Sequence, residues 1–464
     1  MAWRKDKQYR NLRYRGKKTA EVFIEQDKEV SRILEKASKE EKADLEAWEK
    51  AIRVAVLSAG ARALEGLINT IGSGKREEPL FCVCGDRMES KGLKKKELLT
   101  ILGQTSYNRS MYRCPSCGTT RFPGDEALDV VNTTRSPGVR RMMSRAGSNR
   151  TFKEAKEDLN IYAGITVSAK DVERVAEATG KEVEAWQKIH QSTNLEKAAE
   201  TETIASSIPL LYISYDGTGV PMVPWETEGR KGKQPDGSAK TREVKLGCIF
   251  TQTTTDEKGL PVRDPDSTSF VGAIEPAYDF GWRIYGEALR RGLNSAERIV
   301  VLGDGAKWIK GIADMHFPNA IQIVDLYHAR EHVCNLCKIL FCDDEKSGLR
   351  HRSKWWTYLD WGMVEKIIKE ARRKIPENQK SKKDALKEIS YLEKNKKRMR
   401  YAEFRKQDLF VGSGVVEAGC KNIIGARLKQ SGMEWTVRGA NAIISLRCII
   451  KSNRFEDFWS ERAA

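Results

Sequence analysis

The chain has 464 residues, a formal net charge of +17 and 40% hydrophobic residues. That length exceeds one ordinary core and predicts roughly two to four domains, while the positive balance favours a polyanionic partner, nucleic acid above all. No stretch approaches the roughly 20 apolar residues of a membrane span, and the basic start from Met1 to Lys18 runs into no apolar signal core, so a cytoplasmic, nucleoid-associated protein is expected, with no membrane contact. In a reducing compartment the ten Cys read as metal ligands or buried apolar groups rather than disulfides.

Residues 1–74 begin highly charged and then place Ala51, Val54, Leu57, Ala61, Leu64 and Ile68 at helical spacing before Gly72-Ser73-Gly74. This predicts an amino-terminal helical region whose apolar face packs internally, pairs with a second copy or lies along DNA. Residues 75–125 hold Cys82-Val83-Cys84, a β-like stretch from Leu98 to Tyr112, and Cys114-Pro115-Ser116-Cys117. Two Cys knuckles joined by a hairpin predict a zinc ribbon-like module, with four thiolates around a structural Zn2+. The first knuckle is C-x-C rather than the commoner C-x2-C, and simple buried thiols are the alternative.

Residues 126–205 read as helices. Thr151 with Glu154, and Ser168 with Asp171, fit the capping pattern in which hydroxyl and carboxylate satisfy opposing amides. Two capped helices about a turn at Gly164, among Arg140, Arg141, Arg145 and Arg150, predict a helix-turn-helix-like DNA-binding region, against an ordinary helical hairpin.

From Ile208 the pattern changes to strands and helices. Strands are expected over Pro209 to Tyr215, Arg242 to Thr253, Ser267 to Ile274, Arg298 to Leu302 and Ala320 to Leu326, with helices over Pro276 to Leu289 and Ala306 to Met315. Three meandering strands followed by alternating helix and strand imply a mixed sheet of RNase H-like order. The expected fold class is therefore α/β and multidomain. The first part of its catalytic core spans 206–328, a basic α-helical insertion spans 329–410, and the last helix and tail span 411–464.

Asp216, Asp304 and Asp325 each follow an apolar run, which is how a buried strand delivers an acid to a sheet edge. Glu417, in the first turns of the final helix, can reach the same edge. Carboxylate oxygens suit hard divalent cations, and a pair of such ions can stabilise the attacking and leaving oxygens of an in-line phosphoryl displacement. Each acid also has a bland explanation: Asp-Gly after a strand is often only a turn, and Glu early in a helix often only answers the helix dipole. Asp314, Asp325, Asp408 and Glu434 compete for the third position.

The segments DGTGVPM (Asp216 to Met222), REVKLG (Arg242 to Gly247), VLGDGAKWI (Val301 to Ile309), DLYHAREH (Asp325 to His332) and GSGVVEAGCKNIIGARLKQSGMEW (Gly412 to Trp435) together resemble DDE transposases of bacterial insertion sequences, specifically the Kra-type group. The resemblance covers about Ile208 to Leu446, and the Cys knuckles with the following helices look like that group's amino-terminal region. It implies that Asp216, Asp304 and Glu417 bind two Mg2+ (or Mn2+) ions, and that Asp325 and His328 form the C/D-x2-H signature, His328 contacting a scissile phosphate or orienting an acid. It also implies that Trp355 or Trp356 stacks on a displaced base, although a Trp pair is more often helix core.

Lys307, Arg330, Arg427 and Lys429 are expected to position backbone phosphates. The function so implied is cleavage and strand transfer at the ends of an insertion sequence. Its partners are double-stranded DNA, at transposon ends and target, and at least one further copy of the chain. The alternatives are a non-catalytic zinc ribbon and helix-turn-helix regulator, and a structure-selective nuclease on the RNase H fold.

Overall fold

The computed structural model describes residues 28, 32, 44–200, 208–377 and 379–462. The chain divides into two compact units, one ending at Val175 and the other running from Ala176 to Arg462. Most of the first amino-terminal helices expected from sequence lie outside the described residues.

In the first unit, α1 (Leu45–Ile71) starts at Asp44, whose carboxylate accepts the Ala47 amide at 3.0 Å. Its buried face consists largely of Ala55, Ala59, Gly60 and Ala61, small enough for the helix to lie close to the hairpin of β1 (Glu89–Thr100) and β2 (Gly103–Arg113). A short β3 (Thr120–Arg121) completes this three-stranded sheet, followed by α2 (Pro123–Ala127). Asp125 is buried there and accepts Lys96 Nζ at 2.8 Å and Tyr107 Oη at 2.7 Å, so the buried lysine charge is matched.

Helices α3 (Pro137–Asn149), α4 (Phe152–Ala163) and α5 (Ala169–Glu200) follow. The capping box of Thr151 and Glu154 forms as expected, and α4 ends at Gly164 in the left-handed region. Val139, Met143, Ala155, Leu159 and Val172 close a small core among the three helices.

The second unit is built on a five-stranded mixed sheet in the order β10-β9-β4-β5-β8. Here β4 (Ile208–Pro221) pairs antiparallel with β5 (Thr241–Gln252), and β5 antiparallel with β8 (Ser269–Ala273). A small ribbon of β6 (Thr254–Thr255) and β7 (Pro261–Val262) intervenes. On the other side β4 runs parallel to β9 (Ala296–Gly303), and β9 parallel to β10 (Ile321–Val324).

Alternation along β4 sends its side chains to two cores. Leu211, Ile213 and Tyr215 meet α6 (Ala277–Arg290) and α7 (Lys307–His316). Leu210 and Tyr212 meet the helices that follow: α8 (Leu326–Leu340), α9 (Glu345–Asp360), α10 (Val364–Arg372), α11 (Gln379–Asn395) and α12 (Tyr401–Arg405).

These last helices correspond to the expected basic insertion, and they differ from expectation in two respects. The boundary at 328/329 falls inside α8, and the segment is no appendage, because its apolar stripes (Ile367, Ile368 and Ala371; Ala385, Ile389 and Leu392) supply one wall of the sheet's core. The lysines and arginines are the solvated faces of those same helices. After them α13 (Gly414–Gly419) passes through a π turn at Cys420–Gly425 into α14 (Ala426–Leu428), and α15 (Val437–Lys451) and α16 (Phe455–Arg462) end the chain. Among the described residues, no helix is long and apolar enough to cross a membrane.

Candidate active site

Asp216 does not end its strand, as the sequence suggested; it sits within β4, opposite Leu246 of β5. What stops short of it is the neighbour on the other side, since the β4–β9 ladder ends at Ser214 and Leu302. An acid emerging where one flank of a central strand is left open points into the gap between strands. Asp304 follows β9 directly, and its Oδ1 accepts the Ala306 amide at 2.8 Å. Gly305 makes that turn possible: its φ is +83°, and a Cβ there would lie 2.9 Å from Tyr391 Oη. Tyr391, on α11, donates to the Asp304 carbonyl at 2.6 Å, so a helix of the basic segment fixes the second acid's backbone.

Glu417 lies in the first turn of α13. A cleft of about 360 Å³ is lined by Asp216, His328, Glu417 and Cys420, with Tyr327, Glu331 and Lys421 at its walls. Burial raises the pKa of Asp216, and the Asp304 charge raises it further; the Gly217 amide (2.7 Å from Oδ1) and His328 oppose the shift. The Asp304 charge thus acts on Asp216, although Asp304 is not one of the residues that line the cleft. Cys420 Sγ lies 3.8 Å from Asp216 Oδ2, and burial together with that carboxylate pushes the thiol up to about 12.

Ligand atoms of Asp325, His328 and Glu417 lie within 4.8 Å of one another, a group that could hold a metal ion. Asp325 is fully buried; its Oδ1 accepts the His328 amide at 2.8 Å, capping α8, and its Oδ2 accepts the Ser413 amide. Ser413 in turn donates its hydroxyl to Glu417 Oε1 at 2.9 Å. With an amide on each oxygen, Asp325 is a brace that ties the start of α8 to the start of α13, and His328 and Glu417 are the members of that group that line the cleft.

The residues expected to touch DNA separate into two sets. Lys307 and Lys429 are exposed, and Lys429 reaches Thr218 of β4. Arg330 is held by Asp360 at 2.7 Å and, with Arg352, lies over the ring of Trp356. Trp355 and Arg427 must be corrected, because both are 0% exposed. Trp355 packs in the helical wall with its indole donating to Glu370 at 2.8 Å, and Arg427 lies over the Trp435 ring. Neither presents a surface to a partner in this fold.

In the first unit the sulfurs of Cys82, Cys84, Cys114 and Cys117 also lie within 4.8 Å of one another. Cys82 to Cys117 is 3.4 Å, Cys84 to Cys114 3.5 Å and Cys84 to Cys117 3.6 Å. Four thiolates at about 2.3 Å from a tetrahedral ion have S–S edges of roughly 3.8 Å, so the C-x-C knuckle closes a metal-sized cage despite its short spacing.

Sequence reasoning missed Ser413, Cys420 and Tyr391. The first two carry a signal in hindsight, being four residues before and three after Glu417 and so on its helical face. Tyr391 has none, because its contact with Asp304 joins residues 87 positions apart.

The model of a family described as an uncharacterised protein family, UPF0236, matches residues 39–457. The chain is also similar to a protein described as "UPF0236 protein in vanSb 3'region" from Streptococcus gallolyticus, with 24% identity over 389 residues, covering 81% of this chain and 75% of that one.

Proposed function

The chain belongs to the uncharacterised family UPF0236, and from the chemistry of its cleft we propose that it is a DNA transposase, binding the ends of a mobile element, cutting a strand there and joining the freed end to target DNA. The observation that carries this is the meeting of Asp216, His328 and Glu417 on one cleft, with Asp304 near enough for its charge to act on Asp216. The strand order, an antiparallel trio continued by two parallel strands, supports an RNase H-like core as part of the same proposal. A helix-turn-helix role for α3 to α5 and a zinc ribbon for the four-Cys module belong to it as well.

The donors fit the proposed metals. Carboxylate oxygens suit Mg2+ and Mn2+, imidazole is compatible with Mn2+, and Asp216 is partly desolvated, so a cation beside it would offset the cost of its charge. Asp216, Asp304 and Glu417 would hold the ions, which when bound supply charge neutralisation for the attacking and leaving oxygens of an in-line displacement. His328 lines the same cleft and can donate a hydrogen bond to a phosphate oxygen. Lys421 and Lys429, both exposed, offer cations to the backbone on either side. Four thiolates in the first unit suit Zn2+.

Two joined ends need two sites, so a dimer or larger assembly on DNA is part of the proposal. The test is purified protein with Mg2+ and labelled DNA carrying the element's ends. Cutting followed by joining is the expected result; cutting without joining marks a nuclease, and binding alone marks a regulator.

Ser413→Ala removes the hydroxyl that aims Glu417. The expected outcome is a Mg2+ requirement raised about tenfold, in keeping with the loss of a partner that orients a metal ligand. DNA binding should be unchanged, and Ser413→Thr should restore most of the difference. Cleavage rates measured against Mg2+ concentration check this.

A further inference from the structure

Beyond the acids, β4 leads to a second cavity. We propose that this cavity, beside Trp225, receives one unpaired base of the processed DNA strand, a base that carries an exocyclic amino group. The inference deepens the transposase reading and rests on it for its setting.

Trp225 is 67% exposed in the short turn Pro224–Glu226, and it borders a cavity of about 620 Å³. A large aromatic left in water beside a cavity is a binding feature until something covers it. The turn is braced from below. The Val223 amide donates to the Trp435 carbonyl at 3.0 Å, the Trp435 amide to the Pro221 carbonyl at 3.2 Å, and the Val437 amide to Glu226 Oε1 at 2.9 Å. The ring is therefore carried on a fixed platform, which reduces the ordering cost of binding.

Charge identifies the occupant. Arg230, Lys231, Lys233 and Lys240 are exposed on the same excursion between β4 and β5, and none of them forms an ion pair among the described residues. Unpaired cations around an exposed indole match a strand whose phosphates lie outside and whose base stacks within. The cavity itself is lined by the carboxylates of Glu228 and Glu434 together with Gln234, Ser238 and Lys240. Carboxylates repel phosphate but accept hydrogen bonds from the amino groups of adenine, cytosine or guanine. Thymine has no such group, and its carbonyl oxygens gain nothing from the two carboxylates.

The position suits the path of a strand leaving the acids. Met222 is six residues beyond Asp216 on a continuous stretch, about 20 Å at 3.3 Å per residue. Lys429 reaches Thr218 between the two.

The test is the affinity of fluorescently labelled duplexes, blunt or with a single-stranded overhang of A, C or T, measured without divalent metal at fixed salt. Wild-type protein is expected to prefer A and C overhangs to T. Trp225→Ala should weaken binding of the A overhang about tenfold and blunt duplex less than about twofold, and Trp225→Phe should recover most of the loss. Coincident melting curves for the three proteins would show that the exposed side chain was removed without cost to the fold. Equal affinity of Trp225→Ala and wild type for the A overhang overturns the proposal, as does an equal loss on blunt and tailed DNA. A preference for T overturns the amino-group assignment. If the Trp225 dependence holds while the protein with Mg2+ neither cuts nor joins DNA, the base pocket stands and the transposase reading falls.

Discussion

Asp216→Asn is expected to lower strand cleavage on the order of a thousandfold, the scale on which removal of a single preorganised electrostatic group acts, while DNA binding persists. The substitution is nearly isosteric, so the fold should tolerate it. The direction of its effect on stability follows from the carboxyl's raised pKa. A carboxyl whose pKa is higher in the folded than in the unfolded state costs stability above its folded pKa, and the cost vanishes below the unfolded value. Asparagine removes that cost, so the melting temperature at neutral pH should be unchanged or slightly higher.

Added Mg2+ should raise the melting temperature of wild type, since a ligand that binds only the folded state stabilises it, and should do so less for Asp216→Asn. In metal-free wild type the Asp216 carboxyl should titrate above the usual carboxylate range. Cleavage by Asp216→Asn at the wild-type rate would remove Asp216 from the site.

The largest stability effect is expected at the four-Cys cage. Elemental analysis should find about one zinc per chain beyond any Mg2+. Structural zinc sites in small peptides contribute apparent binding energies of roughly 10 kcal/mol or more, and this cage joins two knuckles with little other core, chiefly Met88 and Tyr112 beside Cys82 and Cys114. Chelation, or Cys114→Ser, should therefore open residues 75–125 to protease. The loss would not be total in that stretch, because Lys96, Tyr107 and Asp125 hold the far part of the hairpin. Metal-free protein with protease resistance unchanged would reduce the cage to a cluster of thiols.

Much of the second unit was legible because its strands are apolar runs with sharp polar ends: β9 and β10 fall within two residues of their expected limits. Asp216 was found for the same reason and misplaced for it, since a polar residue within a strand looks locally like the strand's end. The role of residues 326–405 was hidden by composition. Their lysines dominate any window, whereas the apolar stripe that makes them a wall of the core shows only at helical period. Trp355 and Trp356 are adjacent in sequence yet point about 100° apart around a helix, so one is core and the other lies under two arginines. The brace from Asp325 to Ser413, which aims Glu417, spans 88 positions and leaves no local trace.

The π turn after Glu417 has a consequence for how such a chain can lose its chemistry. A π turn accommodates about one residue more than an α turn, and here it begins three residues after Glu417, at Cys420, and itself carries the buried Ile423 and Ile424. Were the six residues Cys420–Gly425 to close as regular α-helix, Glu417 would swing by about 100° against its anchored half, and one residue fewer would restore the register. The aim of the acid is thus written in chain length as much as in side chains. A copy disarmed by a single codon gained in this stretch would still spell out Asp216, Asp304 and Glu417, and would look intact to anyone counting acids.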